Sequence, residues 1–113
     1  MSRISTHVLD TARGKPAADV PVKLEQRQGA EWKELASSST DQDGRCAQLL
    51  AGDGVLPAGI YRLIFDTESY FDARKIRGLY PLVEITFQVQ EGESHFHIPL
   101  LLSPNGYTTY RGS

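Results

Sequence analysis

The chain has 113 residues, of which 40% are hydrophobic and 23% are charged, and its formal net charge is −2 at pH 7. This length suits one domain that buries an apolar core without disulfide staples, and we expect a single domain over residues 1–113. The charge gives no electrostatic reason to expect a nucleic acid or an anionic membrane as partner, and no apolar run approaches the ~20 residues that cross a bilayer.

The cysteine count and the first residues bear on the compartment. Cys46 is the only cysteine, which excludes an intrachain disulfide and a cysteine-based zinc knuckle. The opening residues MSRISTHVLD contain no apolar h-region, so we expect no signal peptide in the chain as given. These features favour a cytoplasmic protein, and a periplasmic location stays open for a mature exported form.

The first predicted element is a strand over residues 3–9. Side chains alternate between the two faces of a strand. One face therefore carries Ile4, Thr6 and Val8, and the other carries Ser5, His7 and Leu9. Gly14 and Pro16 predict that residues 10–18 form a turn-rich connection.

Later segments repeat the alternation of a half-buried strand. The further predicted strands are 20–27, 32–40, 45–50, 60–66, 82–89, 95–102 and 107–110. One short helix is predicted at 67–76, with Thr67 as its N-cap. Short strands separated by turn signals, with one helix, predict an all-β fold: a two-sheet antiparallel β-sandwich of about eight strands.

No glycine-rich phosphate loop, nucleophile elbow or dinucleotide fingerprint is present, so chemistry must come from histidine, arginine and hydroxyl groups. Arg45 follows the turn Asp41-x-Asp43-Gly44. By itself this pattern favours a surface arginine that neutralises Asp41 or Asp43. The turn also resembles part of a calcium loop, but the required downstream acid is absent. Cys46 is expected to be a small core residue.

Three histidines could together hold a metal. His95 and His97 share one strand face, and His7 could supply a third nitrogen to a zinc ion with an open position for water. No carboxylate is identifiable that would orient these rings. A histidine inside a strand is more often a hydrogen-bonded or exposed residue, so both interpretations stay open here.

Several motifs match one known family. The segments that carry the match are HVLD at 7–10, GKPA at 14–17, DGR at 43–45, HFHIPLLLSP at 95–104 and YTTYRGS at 107–113. They resemble the transthyretin-related proteins and, within them, the 5-hydroxyisourate hydrolases. The match spans essentially the whole chain, and its most specific part is the closing tetrapeptide YRGS. Trp32 and Leu35 also fit the family's W-x-x-L spacing.

The resemblance implies an enzyme of urate degradation. The implied reaction opens a cyclic amide of 5-hydroxyisourate by hydrolysis and yields 2-oxo-4-hydroxy-4-carboxy-5-ureidoimidazoline. The implied enzyme is independent of metal and has no cofactor. It is implied to be a homotetramer, a dimer of dimers, with a channel that holds the small-molecule substrate. The family's site residues fall on His7, Arg45, His97 and Tyr110, with Ser113 lining the site.

We predict a division of roles among these residues. A guanidinium offers a rigid fork of donors to a carbonyl or oxyanion, so Arg45 is assigned to polarise the substrate. His97 is assigned as the base and His7 as its proton-handling partner, although the sequence also allows the reverse order. Tyr110 and Ser113 are assigned to orient the substrate.

Two alternatives remain at this level. One is a transthyretin-like protein that binds a small ligand without catalysis. Such a carrier should have apolar or small hydroxyl residues at the channel positions that imidazoles and a guanidinium occupy here. The other is a metal-dependent hydrolase that uses His7, His95 and His97. In the favoured reading His95 has a structural role only.

Overall fold

The structure, a computed structural model, describes residues 2–52 and 54–113. Its elements in chain order are β1 (Ser2–Asp10), β2 (Lys15–Pro16), β3 (Pro21–Gln28), β4 (Glu31–Ser39), β5 (Arg45–Ala51), β6 (Gly59–Phe65), α1 (Thr67–Ala73), β7 (Val83–Val89), β8 (Phe96–Ser103) and β9 (Gly106–Thr109).

The strands form two sheets. In sheet A, β1 pairs with β8 on one side and with β2 and β5 on the other, and β9 pairs with β8. Sheet B has the order β4-β3-β6-β7. The predicted all-β sandwich with one short helix is confirmed. One described pair, β1 with β8, runs parallel, which the antiparallel prediction did not include. Such a pair needs a long connection, and here that connection includes all of sheet B.

The inner faces of the two sheets form the core, to which β1, β6 and β8 contribute, and the predicted grouping of Ile4, Thr6 and Val8 on one face of β1 is confirmed, since all three are buried. The core residues of these strands that are at most 1% exposed are Ile4, Val8, Tyr61, Leu63, Phe65, Leu100 and Leu102. Cys46 is also buried in this core, as expected. Because side chains alternate along a strand, His7 on β1 and His97 on β8 lie on the outer face of sheet A.

The helix differs from its prediction at both ends. Asp66, and not Thr67, is the N-cap, because the Asp66 carboxylate accepts a hydrogen bond from the Ser69 backbone N–H at 3.1 Å. The Thr67 hydroxyl instead donates to the carbonyl oxygen of Tyr80 at 2.6 Å. The helix ends at Ala73, three residues earlier than predicted. No helix within the described ranges is long and apolar enough to cross a membrane.

A buried carboxylate ties β1 to α1. Asp10 and Tyr70 are each 1% exposed, and the Tyr70 hydroxyl donates to Asp10 Oδ2 at 2.7 Å. The backbone N–H of Arg13 donates to the other carboxylate oxygen at 3.1 Å. Burial, together with the neighbouring carboxylate, raises the pKa of Tyr70, so its hydroxyl keeps the proton that it donates. The end of β1 and the turn that follows it are therefore anchored to the helix.

Candidate active site

Three strands of sheet A bring the predicted cationic residues together. His7 on β1 lies directly opposite Arg45 on β5, and His97 on β8 lies opposite Ser5, two residues before His7. Directly opposed residues in a sheet have Cβ atoms roughly 5 Å apart, and a two-residue offset raises that separation to about 8 Å. Both imidazoles and the guanidinium thus belong to one patch on the outer face.

A cavity of about 190 Å³ opens at this patch, and its lining includes Ser5, Arg45, Ala47, His95, His97 and Ser113. The ladder between β1 and β5 is irregular here: Ile4 pairs with Leu50 and Thr6 with Cys46, so residues 47–49 face Ser5 alone. Bulges of this kind often lie next to active sites, where they terminate pairing and redirect side chains. Arg45, His97 and Ser113 therefore line one cavity, and His7 lies beside them.

Tyr110 does not join this cavity within one protomer. It follows β9, is 56% exposed, and lines a separate cavity of about 310 Å³ with Ile85 and Phe87 of β7 and Phe96 of β8. Sheet order places β7 and β9 at the edges of their sheets. Tyr110 thus lies beside the edge strands, in a cavity whose lining does not include His97.

The turn before β5 orients Arg45. The Asp41 carboxylate accepts hydrogen bonds from the backbone N–H groups of Asp43 and Arg45, both at 2.9 Å. That carboxylate shapes the turn, and among the described residues neither Asp41 nor Asp43 forms a salt bridge with Arg45, so the predicted neutralisation of Asp41 or Asp43 is not formed. Among the residues that the structure describes, no carboxylate forms a salt bridge with the Arg45 guanidinium. Its donors are available to a ligand.

Gly44 lets this turn pack against β1. Its φ is +77°, and a Cβ added to it would lie 2.3 Å from the carbonyl oxygen of Val8. The backbone N–H of Val8 donates to the Gly44 carbonyl at 2.7 Å. A side chain at this position would push the turn away from β1 and would carry Arg45 away from His7.

The same turn defines the tautomer of His7. His7 Nε2 lies 2.9 Å from the carbonyl oxygen of Asp43. A carbonyl oxygen only accepts, so Nε2 must carry the hydrogen and donate it. In neutral His7 the free lone pair is therefore on Nδ1, and in the protonated form Nδ1 carries the additional proton.

His97 has a different environment. Its Nδ1 lies 2.8 Å from the hydroxyl oxygen of Ser5. Burial of the ring lowers the pKa of His97, and the positive charges of His7, Arg45 and His95 lower it further. A desolvated imidazole among cations favours its neutral form. At neutral pH His97 is therefore able to accept a proton, as a general base must.

The residues after β9 hold the His97 ring from another side. The guanidinium of Arg111 pairs with the Glu93 carboxylate at 3.1 Å, donates to the His95 carbonyl at 3.1 Å, and lies 4.2 Å above the centre of the Phe96 ring. The backbone N–H of Gly112 then donates to the His97 carbonyl at 2.7 Å. A Cβ on Gly112 would lie 2.6 Å from Cδ2 of the His97 ring, so the absence of a side chain there makes room for the imidazole.

The three-histidine metal site is not formed. Among residues 2–52 and 54–113, no group of three or more histidine, cysteine, aspartate or glutamate side chains is placed to hold a metal ion. The zinc hypothesis is contradicted by this geometry.

Two contacts of His97 were missed in the sequence, those with Ser5 and Gly112. Alternation did place Ser5 on the same face as His7, and this was the only signal for it. Its partner became evident only from the parallel register of β1 and β8. No pattern in the sequence indicated that Gly112 packs on the imidazole.

Comparisons of sequence and of structure with known proteins find relatives in the same family. A sequence model of the HIUase/Transthyretin family matches residues 4–112. The 5-hydroxyisourate hydrolase of Mus musculus is 46% identical over 114 residues, covering 99% of this chain and 96% of the mouse protein. The structure of Klebsiella pneumoniae 5-hydroxyisourate hydrolase matches with a TM-score of 0.86 at 40% identity and covers 100% of both chains. Sea bream transthyretin in complex with thyroxine matches with a TM-score of 0.89 at 32% identity, covering 97% of this chain and 94% of that chain.

Proposed function

This chain belongs to the HIUase/transthyretin family, and we propose from its site that it is a 5-hydroxyisourate hydrolase. The observation that carries the proposal is the meeting of Arg45 and His97 in one cavity with His7 beside them. A carrier that holds an apolar ligand has no use for two imidazoles and a guanidinium that has no salt bridge among the described residues. Hydrolysis of a cyclic amide uses all three.

The reaction adds water across one carbon–nitrogen bond of the substrate. The water oxygen bonds to the acyl carbon, a negative charge develops on the carbonyl oxygen, and the bond to the ring nitrogen then breaks. His97 takes a proton from the water, Arg45 donates to the developing oxyanion, and His7 supplies a proton to the departing nitrogen. The products of this step are a carboxyl group and an N–H group, so no oxidant, reductant or metal is consumed.

The order of the two histidines follows from their partners. His97 is the base because its buried, cation-flanked ring favours the neutral form. His7 donates its Nε2 hydrogen to the Asp43 carbonyl in the resting structure. Its Nδ1 is then the nitrogen that delivers a proton when the ring is protonated. The reverse assignment would require His97, whose partly buried ring lies among positive charges, to start as a cation.

We propose that the complete site needs a second copy of the chain. A cavity of 190 Å³ is below the roughly 300–1,000 Å³ that is usual for a small-molecule pocket. The Tyr110 side chain is exposed beside the edge strands. Pairing between protomers would cover those edges. A homotetramer built as a dimer of dimers would let Tyr110 of a neighbouring protomer contact the substrate, while Ser113 already lines the cavity with Arg45 and His97. Sedimentation velocity tests this assembly directly, and a monomer at micromolar concentration would contradict it.

The test of function follows the ultraviolet absorbance of freshly generated 5-hydroxyisourate. We expect wild-type protein to accelerate its loss. His97→Asn and Arg45→Gln should each lower turnover by roughly 10²-fold, the scale of a lost base or oxyanion donor. His95→Asn is the matched histidine control and should be nearly silent. Activity should also survive exhaustive chelation, since no step uses a metal.

Two results would overturn parts of this proposal. If the wild type left the decay rate unchanged but bound a small ligand, a transthyretin-like carrier would become the better function. If His95→Asn were the crippling change and His97→Asn the silent one, the assignment of the base would be wrong.

A further inference from the structure

Ser5 is a nearly buried hydroxyl with no part in the reaction as described so far. It is 7% exposed, lies on the outer face of sheet A, and is directly opposite His97 in the parallel register of β1 and β8. The 2.8 Å separation between its Oγ and His97 Nδ1 is hydrogen-bond distance. It also lies within the lining of the 190 Å³ cavity. Ser5 therefore contacts the base from inside the site.

The partner of one imidazole nitrogen determines what the other nitrogen can do. A neutral imidazole has one N–H and one lone pair, and a hydrogen bond at one nitrogen selects between the two tautomers. If the serine oxygen accepts from Nδ1, the lone pair is on Nε2. If the serine hydroxyl donates to Nδ1, Nε2 carries a hydrogen and cannot take a proton.

The catalytic cycle favours the first arrangement. When the base takes a proton, both ring nitrogens become donors. A serine oxygen that already accepts from Nδ1 keeps the same hydrogen bond before and after the transfer. A serine that donates to Nδ1 would have to rotate its hydroxyl during the reaction, and groups that need no reorganisation stabilise a developing charge better.

We propose that Ser5 is a positioning residue for His97: its Oγ accepts the Nδ1 hydrogen, which fixes the tautomer and rotation of the imidazole and leaves Nε2 to take a proton from water. This inference rests on the proposed hydrolase function. It also makes the two histidines complementary, since His7 is held through Nε2 by the Asp43 carbonyl and His97 through Nδ1. Each ring offers its opposite nitrogen to the substrate.

Other groups around the His97 ring are consistent with this role. The charged and titratable groups that act on it are His7 from β1, Arg45 from β5 and His95 from the segment before β8. All three are cationic when charged, so none of them can accept a hydrogen bond from Nδ1 in that form. Gly112 packs beside Cδ2 and supplies shape but no acceptor. Among the groups named here, the Ser5 oxygen is the acceptor within reach of Nδ1.

The experiment compares Ser5→Ala and Ser5→Thr in the wild-type assembly. We expect Ser5→Ala to lower kcat by roughly 10- to 100-fold with little change in KM, since misplacement of a catalytic group by about 1 Å has effects of this size. Ser5→Thr keeps the hydroxyl and suits a strand, so it should recover most of the loss. Ser103→Ala is the matched control. It also removes a half-buried serine hydrogen bond, to the Gly106 carbonyl at 3.1 Å, but at the far end of β8.

Imidazole ¹⁵N NMR gives a readout that a purely structural role would not move. In the wild type, neutral His97 should carry its hydrogen on Nδ1. In Ser5→Ala it should shift towards the Nε2–H tautomer that a free imidazole side chain prefers in water. This measurement needs folded protein and no turnover, so it tests Ser5 even if the wild type proves inactive on 5-hydroxyisourate, which would refute the function alone.

The outcomes separate clearly. An Nε2–H tautomer of neutral His97 in the wild type would overturn the proposal, and so would an unchanged kcat in Ser5→Ala. If Ser5→Ala failed to fold, the wild-type tautomer and the kinetics of Ser5→Thr would decide the question. Equal losses in Ser5→Ala and Ser103→Ala would show a general effect of weakening β8 and would also reject the assignment.

Discussion

Gly112→Ala tests how the residues after β9 shape the active site. The added Cβ would lie 2.6 Å from Cδ2 of His97, whereas ordinary contact begins at 3.4 Å. Retreat in other directions is limited, because the His97 carbonyl oxygen and Cγ of Pro99 would both be 3.3 Å from the same methyl. The backbone N–H of Gly112 is also held by the His97 carbonyl at 2.7 Å. We therefore expect the imidazole to move by about 0.8 Å, the shortfall from ordinary contact in a packed site.

The size of the effect follows from that displacement. A shift of about 1 Å in a reacting group typically lowers the rate by about 10²-fold. The cost in folding stability should be about 1 kcal/mol, the low end for overpacking, because Gly112 is only half-buried. Activity should thus fall much more than stability.

The assay measures kcat for the decay of 5-hydroxyisourate together with urea denaturation. Gly106→Ala is the matched control, because its added Cβ would meet nothing closer than the Ser103 hydroxyl at 3.9 Å, and it should keep full activity. Wild-type kcat in Gly112→Ala would refute the argument. A loss of kcat that only tracks loss of folded protein would refute it as well.

Three further predictions concern pH and stability. Because burial and then neighbouring cations lower the pKa of His97 from its ordinary 6.5, protonation should inactivate the base only below that value. The acid-side fall of kcat/KM should have its midpoint below pH 6.5, and a midpoint above it would contradict the assignment. Tyr70→Phe removes the hydrogen-bond donor to buried Asp10 and should lower the free energy of unfolding by about 1.5–3 kcal/mol with little loss of kcat. A change of less than about 0.5 kcal/mol in urea denaturation would be inconsistent with a buried hydrogen bond. Gly44→Ala should lower the free energy of unfolding by at least about 2 kcal/mol, because its Cβ would lie 2.3 Å from a β1 carbonyl oxygen. Gly29 is also at positive φ, but an added Cβ would meet nothing within 4 Å, so Gly29→Ala should cost only about 1 kcal/mol. Equal thermal shifts for the two glycine variants would contradict the close approach at the turn.

The fold by itself does not decide between catalysis and carriage. Transthyretin bound to thyroxine and a 5-hydroxyisourate hydrolase both match this chain with TM-scores above 0.85. Function depends on which side chains the shared fold presents. On the outer face of sheet A this chain presents His7, Arg45 and His97, and our proposal of catalysis rests on that arrangement.

The sequence by itself determined the local features. Strand positions and their buried faces followed from an alternation with period two, which depends only on neighbours along the chain. Ile4 and Val8 were therefore placed together on one face, and both are buried. The family resemblance added a function and the candidate site residues His7, Arg45, His97, Tyr110 and Ser113. It could do so because the matching motifs lie around turns and strand ends and include residues that can act chemically.

Only the tertiary structure decided how distant strands meet. Ser5 and His97 are 92 positions apart, and their contact depends on a parallel pairing that no local pattern encodes. The same holds for the fit of Gly112 against the imidazole and for the position of Tyr110 in a second cavity. Local alternation fixes which face a side chain occupies, but pairing between strands is selected by the packing of the whole core, and that packing assembles the site.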